Sequence, residues 1–214
     1  EVRRACDLLG VGELHFLGLD DAVLRLEDDH VRRLARLLRQ VKPDVILTHF
    51  PREGDTFANP HAIAGQIVLH AVHLAAAVDP GDRHPPHKVA QVFFFGIGAA
   101  GVRCNVWDSE GGYTCDVFVD IEDVVEKKLA ALDCLDSQGY AGPYARKRLE
   151  ASDGAFGAAA RCAYAEGFIR MNHEVHQHLP VTARALELAA ESDHQVIERM
   201  ARRLDPATGR LDPA

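Results

Sequence analysis

The sequence has no Cys-x-x-Cys pair, no long apolar run and no surplus of positive charge, and each absence removes a class of function. Its five cysteines, Cys6, Cys104, Cys115, Cys134 and Cys162, are odd in number and scattered. That speaks against a disulfide framework and a thiolate zinc knot, and it fits a reducing cytoplasm. No stretch approaches the roughly 20 apolar residues that cross a bilayer, and the first residues show no charged-then-apolar signal pattern. Lys and Arg number 24 against 32 Asp and Glu, a net charge of −8, which argues against nucleic acid or an anionic membrane as partner and for small or neutral substrates. No internal repeat is present. What is there is 214 residues, 47% apolar and 26% charged, enough for one main domain with a sizeable core.

The chain opens inside a helix, Glu1 to Leu9, that has no cap and stops at Gly10. We therefore expect a segment upstream of Glu1. Leu14 to Leu17 reads as a short strand feeding the acidic turn at Asp20 and Asp21. From Glu27 the period is helical, with Val31, Leu34, Leu38 and Val41 on one face, acidic residues in the first turn and Pro43 as the stop. Asp44 to Thr48 is nearly all apolar and β-branched, the pattern of a parallel strand covered on both faces. Asn59 and Pro60 form a helix start, a side-chain cap followed by a residue that needs no N–H. That helix has Ile63, Ile67, Leu74 and Val78 as its stripe.

A proline-rich connection follows, then strands at Lys88 to Phe95 and Cys115 to Val119. The glycine-rich excursion between them, Gly96 to Gly112, holds Trp107. Asp120 caps a helix with Val124, Val125, Leu129 and Leu132 inward. Residues Ser137 to Gly157 read as helix and turn, with an Ala-rich helix ending near Gly167. Beyond Pro180 one last helix runs to about Leu204, with Leu186, Ile197 and Met200 apolar and available for contact with a second copy, and a Pro/Gly/Asp-rich tail follows. Alternating strands and helices make this an α/β fold, a mainly parallel sheet with helices on both faces plus a C-terminal helix. The boundaries expected are 1–178 for the α/β domain, 179–204 for the C-terminal helix and 205–214 for a flexible tail.

The candidate site centres on His61, in the first turn of a helix just past the C-terminal end of a strand, where α/β sheets keep their ligands. Neutral imidazole is also the commonest metal ligand. His49, at the strand's end, and Asp55, in a Gly-Asp-Thr loop, are candidates for substrate binding or for orienting a ligand histidine, as is Asn59. Other histidines read as bland. His70 and His73 lie along the helix, His84 and His87 flank two prolines in a connector, and His173, His176 and His178 share no regular spacing. Asp120 reads as a cap and Glu166 as a structural partner near the sheet edge. Arg146, Lys147 and Arg148 read as a solvated helix face able to attract an anionic substrate.

Several pieces in one order carry a family resemblance: Leu8-Leu9-Gly10, Phe16-Leu17-Gly18-Leu19-Asp20, Pro43 through Thr48-His49, and His61-Ala62-Ile63-Ala64-Gly65. After them come Val119-Asp120-Ile121 with Lys127, Lys128, Ala131 and Leu132, then Ser137-Gln138, and Tyr164-Ala165-Glu166-Gly167-Phe168. Over about residues 1 to 169 the chain resembles the PIG-L/LmbE-like zinc-dependent N-deacetylases. The resemblance implies a Rossmann-like sheet, one Zn²⁺ with His61 as a ligand, and hydrolysis of an N-acylated small molecule such as an amino sugar. In the family two further ligands and the general base come from an Ala-His-Pro-Asp-Asp-like segment, which these 214 residues do not contain and which is expected upstream of Glu1. The family's His-Pro-Asp-His motif is represented by Ala58-Asn59-Pro60-His61, so only its last histidine is retained. That departure also fits a subgroup resembling 4-oxalomesaconate hydratase, acting on an unsaturated dicarboxylic acid. A non-catalytic binding or scaffold protein is the remaining alternative.

Overall fold

The computed structural model describes residues 1–52, 59–95 and 115–213. Helix α1, Val2–Leu9, ends on Gly10 in the left-handed conformation (φ 80°), whose N–H returns to the helix. Helix α2, Asp28–Val41, has its two aspartates in the first turn and closes through Lys42, also left-handed. Strand β1, Val45–His49, begins two residues after Pro43. Helix α3, Pro60–Ala76, starts as its residues dictate: Asn59 Oδ1 accepts the His61 N–H at 2.8 Å and Pro60 takes the first helical position. Strands β2, Gln91–Phe95, and β3, Val117–Asp120, flank the undescribed excursion, which includes Trp107.

The α/β class holds, but the sheet is mixed. Helix α4 is Val125–Leu132, α5 Pro143–Leu149 and α6 Ala155–Ala160, and the decisive element is β4, Ala165–Arg170. The order is β1-β2-β4-β3, with β1 and β2 parallel and β4 antiparallel to both its neighbours. Sequence reading extends an Ala-rich helix to Gly167. The chain instead reverses at Arg161 (φ 63°), with the Cys162 N–H bonded to Gly157 O. Gly157 permits this, since a Cβ there would stand 2.4 Å from Ala163 O. Glu166 therefore lies in the sheet interior rather than at its edge.

Register separates the two faces. Ile46, Thr48, Val92, Phe94 and Ile169 share one face, and α2 and α3 pack there through Ala35, Leu38, Ala71 and Ala75. Leu47, His49, Phe95, Phe168 and Glu166 share the other. Val45 and Leu47 on that face are 52% and 58% exposed, so the expectation that β1 is covered on both faces does not hold among the described residues. Leu14 to Leu17 forms no strand; Phe16 is exposed beneath the Arg3 guanidinium.

The expected single C-terminal helix is two, α7 (Ala183–Ala190) and α8 (Asp193–Met200). Ser192 and Gln195 form a reciprocal capping box that starts the second helix afresh. Residues 205–213, read as a flexible tail, turn back on the domain: Leu204 bridges to Leu211 and is 3% exposed among Ile121, Val125, Leu129 and Leu149. Tyr164, fully buried, accepts the Leu204 N–H at 2.8 Å and donates to Glu150.

Candidate active site

Helix α3 brings His61 back over the end of β1. Gly65, one turn on and on the same helix face, packs so closely that a Cβ would meet His49 O at 2.3 Å. This approach stacks the His61 ring on His49, centroids 4.3 Å apart and planes 15° from parallel, while Phe95 closes on His49 at 4.6 Å. Gln66 Nε2 donates to Pro51 O at 2.9 Å and holds the chain leaving β1.

The two histidines line a cavity of about 430 Å³ on the open face of the sheet, within the size range of small-molecule sites. Leu47, Phe95, Phe156 and Phe168 give it apolar walls, and Lys128, Tyr140, Arg148, Ser152, Asp153 and Glu166 supply polar groups. Lys128 Nζ stands 2.6 Å from Asp153 and 2.5 Å from Glu166. Burial by itself would lower the ammonium's pKa, but the two carboxylates outweigh it and hold the value above the ordinary one. Asp153 is 5% exposed, and its desolvation raises its carboxyl pKa despite Lys128. Asp153 and Ser152 reach the cavity because Glu150–Gly154 forms a π-helical turn between α5 and α6, a local widening that recurs at functional sites.

Of the residues chosen from sequence, His49 and His61 meet in this cavity. Asn59 serves as the cap beneath His61. Asp55 lies outside the described residues. Lys128 was visible only as part of the resemblance, and Asp153, Tyr140 and Arg148 were not singled out as one site, since a Ser-Asp-Gly run reads as a turn and an arginine in a basic run as solvated. The basic trio separates in the structure. Arg146 pairs with Asp133 at 3.1 Å, Lys147 is exposed on the helix surface, and Arg148 lines the cavity. The connector histidines are engaged elsewhere, His84 Nδ1 with Asp82 Oδ1 and His87 Nε2 with Pro43 O, both at 2.8 Å.

The family's zinc can be tested against these donors. Imidazole lone pairs lie in the ring plane, so nearly parallel rings 4.3 Å apart cannot both point at one ion. Among the described residues His61 belongs to no three-donor group; the one such group is Asp120, Glu122 and Cys162. Arg184 Nη2 already donates to Asp120 at 2.5 Å, and Arg202 and the Ala163 N–H donate to Glu122. The buried Cys162 thiol is pushed up to about 11 by desolvation and then by the two carboxylates, so the thiolate a metal requires is disfavoured. That cluster anchors the C-terminal segment, and the described cavity residues do not complete a zinc site.

Comparison with known proteins agrees with the architecture. The family model of PIG-L, GlcNAc-PI de-N-acetylase, matches residues 1–72. A 1D-myo-inositol 2-acetamido-2-deoxy-alpha-D-glucopyranoside deacetylase of Segniliparus rotundus is 33% identical over 75 residues, 35% of this chain and 23% of that protein. A 4-oxalmesaconate hydratase of Pseudomonas putida is 24% identical over 148 residues, 67% of this chain and 52% of that protein. The chain thus spans about a quarter to a half of the length of these curated relatives. A conserved protein of Thermus thermophilus superposes with a TM-score of 0.67 at 21% identity, over 84% of this chain and 75% of that one. The sequence match to the PIG-L family model thus lies within the first third of the chain, and the likeness of fold extends over most of it.

Proposed function

We propose that the cavity is the substrate site of a PIG-L-type, metal-dependent hydrolase that removes an acyl group from an N-acylated small molecule such as an amino sugar. The observation that carries this reading is the position of His61, in the first turn of α3 beyond β1, beside the ion-paired Lys128, Asp153 and Glu166 in one cavity. In this reading His61 is one ligand of a single Zn²⁺, and the chain acts in the cytoplasm, in keeping with cysteines that are odd in number and scattered along the sequence. No helix among them is long and apolar enough to cross a membrane.

The described donors do not complete a metal site, and the chain's own groups shape and charge the cavity. The aromatic walls exclude water from one side of the substrate. Lys128, kept protonated by two carboxylates, is a fixed positive charge in a low-dielectric setting, where it steadies an oxygen that gains negative charge. His49 holds the His61 ring through its stacked face.

A second reading has its own support. The likeness to 4-oxalmesaconate hydratase extends over 67% of the chain, about twice as far as the family model. In that reading the chain hydrates an unsaturated dicarboxylic acid, and the loss of the motif's first histidine to Ala58 matters less because no leaving amine needs a proton. One experiment separates the two: amine release from N-acetylated amino sugars, set against loss of absorbance of unsaturated dicarboxylates. Amine release that His61→Ala abolishes supports the deacylase. Turnover of the dicarboxylates alone overturns it for the hydratase. Exposed His61 adds little to the core, so its variant should stay within about 0.5 kcal/mol of the parent in stability.

A further inference from the structure

Among the described residues, Lys128 and Arg148 are the lysine and arginine that line the cavity, and of these and the arginines nearest them in sequence Arg148 alone meets no carboxylate. Lys128 lies between Asp153 and Glu166, Arg146 holds Asp133, and Arg170 holds Asp116 and Glu174. Among the described residues no carboxylate lies within ion-pair distance of Arg148; its recorded side-chain bond is Nη1 to Tyr144 Oη at 3.4 Å. The guanidinium is nonetheless held in place. It lies over the Tyr140 ring at 5.0 Å and near the Tyr144 ring at 5.8 Å, and the residue's backbone oxygen accepts from Ser152. A guanidinium fixed by two aromatic faces keeps most of its five donors for another acceptor, and little side-chain freedom is lost when one arrives.

We propose that Arg148 binds an anionic oxygen group of the substrate, a carboxylate or phosphoryl group, and so selects acidic small molecules. The assignment rests on reading the cavity as the substrate site and holds for either reaction there. It revises what net charge suggests: a total of −8 describes the whole surface, whereas recognition is decided by the unpaired charge inside the cavity. Tyr140 forms the wall behind the guanidinium, leaving its edge for two parallel N–H···O bonds with a carboxylate or phosphate.

The test measures binding rather than turnover. Titration calorimetry of the full chain with N-acetylglucosamine, N-acetylglucosamine 6-phosphate and glutarate should show at least one anion bound about tenfold or more tightly than the neutral sugar, the size of one charge-assisted contact. Arg148→Gln should reduce that preference to within about threefold, and Arg148→Lys should restore part of it, because lysine keeps the charge without the fork. Preference for the phosphate alone assigns a phosphoryl group, and tight binding of glutarate assigns a carboxylate. Equal binding of neutral and anionic probes, an undiminished preference in Arg148→Gln, or no saturable binding of either anion at millimolar concentration overturns the proposal. If the preference stands while no amine is released, the deacylase reading falls and the assignment of Arg148 survives.

Discussion

Gly65 shows how one residue sets the geometry of the cavity. It stands in mid-helix, where glycine costs about 1 kcal/mol relative to alanine, and it repays that by letting α3 touch the backbone of β1. A Cβ at this position would lie 2.3 Å from His49 O and 3.2 Å from Pro51 N, backbone atoms that cannot rotate aside. Gly65→Ala should therefore destabilise the fold by about 1 to 3 kcal/mol through overpacking and part the His49 and His61 rings. Urea denaturation checks the first effect, and the imidazole proton shifts of the two histidines check the second. His61 itself was legible at this scale because Asn-Pro before it spells out a helix start. Arg148 was not legible: its neighbours Arg146 and Lys147 look the same in sequence, and only the direction of the side chain separates a cavity residue from a solvated one.

Helix α3 is also held at its far end, by a fully buried guanidinium. Arg39 donates to Leu74 O, Ala75 O and Ala77 O, carbonyls at the end of the helix and just beyond it, and to Asp82 at 2.8 Å. The His84 N–H and the Arg39 guanidinium hold the Asp82 carboxyl far below the usual carboxylate range. A depressed folded-state pKa means that its contribution is present above the unfolded value, near ~4, and is lost as pH falls through the folded one. Asp82→Asn should lower the denaturation midpoint at pH 7 and change it less at about pH 2, where protonation of the parent carboxylate has begun to remove its contribution. A loss of equal size at both pH values would show that packing, not charge, makes the contribution. Elements with strong local signals, α2, β1 and α3, stand where pattern places them. Strand β4 does not, because Ala-rich residues that favour a helix are overridden by the left-handed turn at Arg161 and by pairing on both sides. The break between α7 and α8 was present in sequence as Ser-x-x-Gln.

For the whole molecule, β1 and β2 have one face packed by α2 and α3 and the other turned to the cavity, while α6 lies against β3 and β4. A strand that serves as packed surface and cavity floor is as apolar as one buried on both sides, which is why Val45 and Leu47 misled. The exposed Leu186 and Ile197 on α7 and α8 keep contact with a second copy as a proposal for this end of the molecule. Metal binding is decided at this scale, since ligands converge from distant parts of a chain. The described residues bring His61 to the cavity without two further donors. The purified 214-residue chain should accordingly retain well below one zinc per molecule after gel filtration, by elemental analysis. Stoichiometric, tightly held zinc would show that residues outside the described ones, Asp55 first, complete the site.

Local chemistry in the sequence was enough to determine the class of fold, the start of α3 and the identity of its first histidine, because caps, prolines and β-branched runs act within a few residues of themselves. Tertiary structure alone decided that β4 runs antiparallel through the sheet, that Lys128 lies between Asp153 and Glu166, and that Arg148 meets no carboxylate among the described residues. Those outcomes depend on groups far apart in sequence being brought within bonding distance, and no local pattern encodes which of several similar charges will meet.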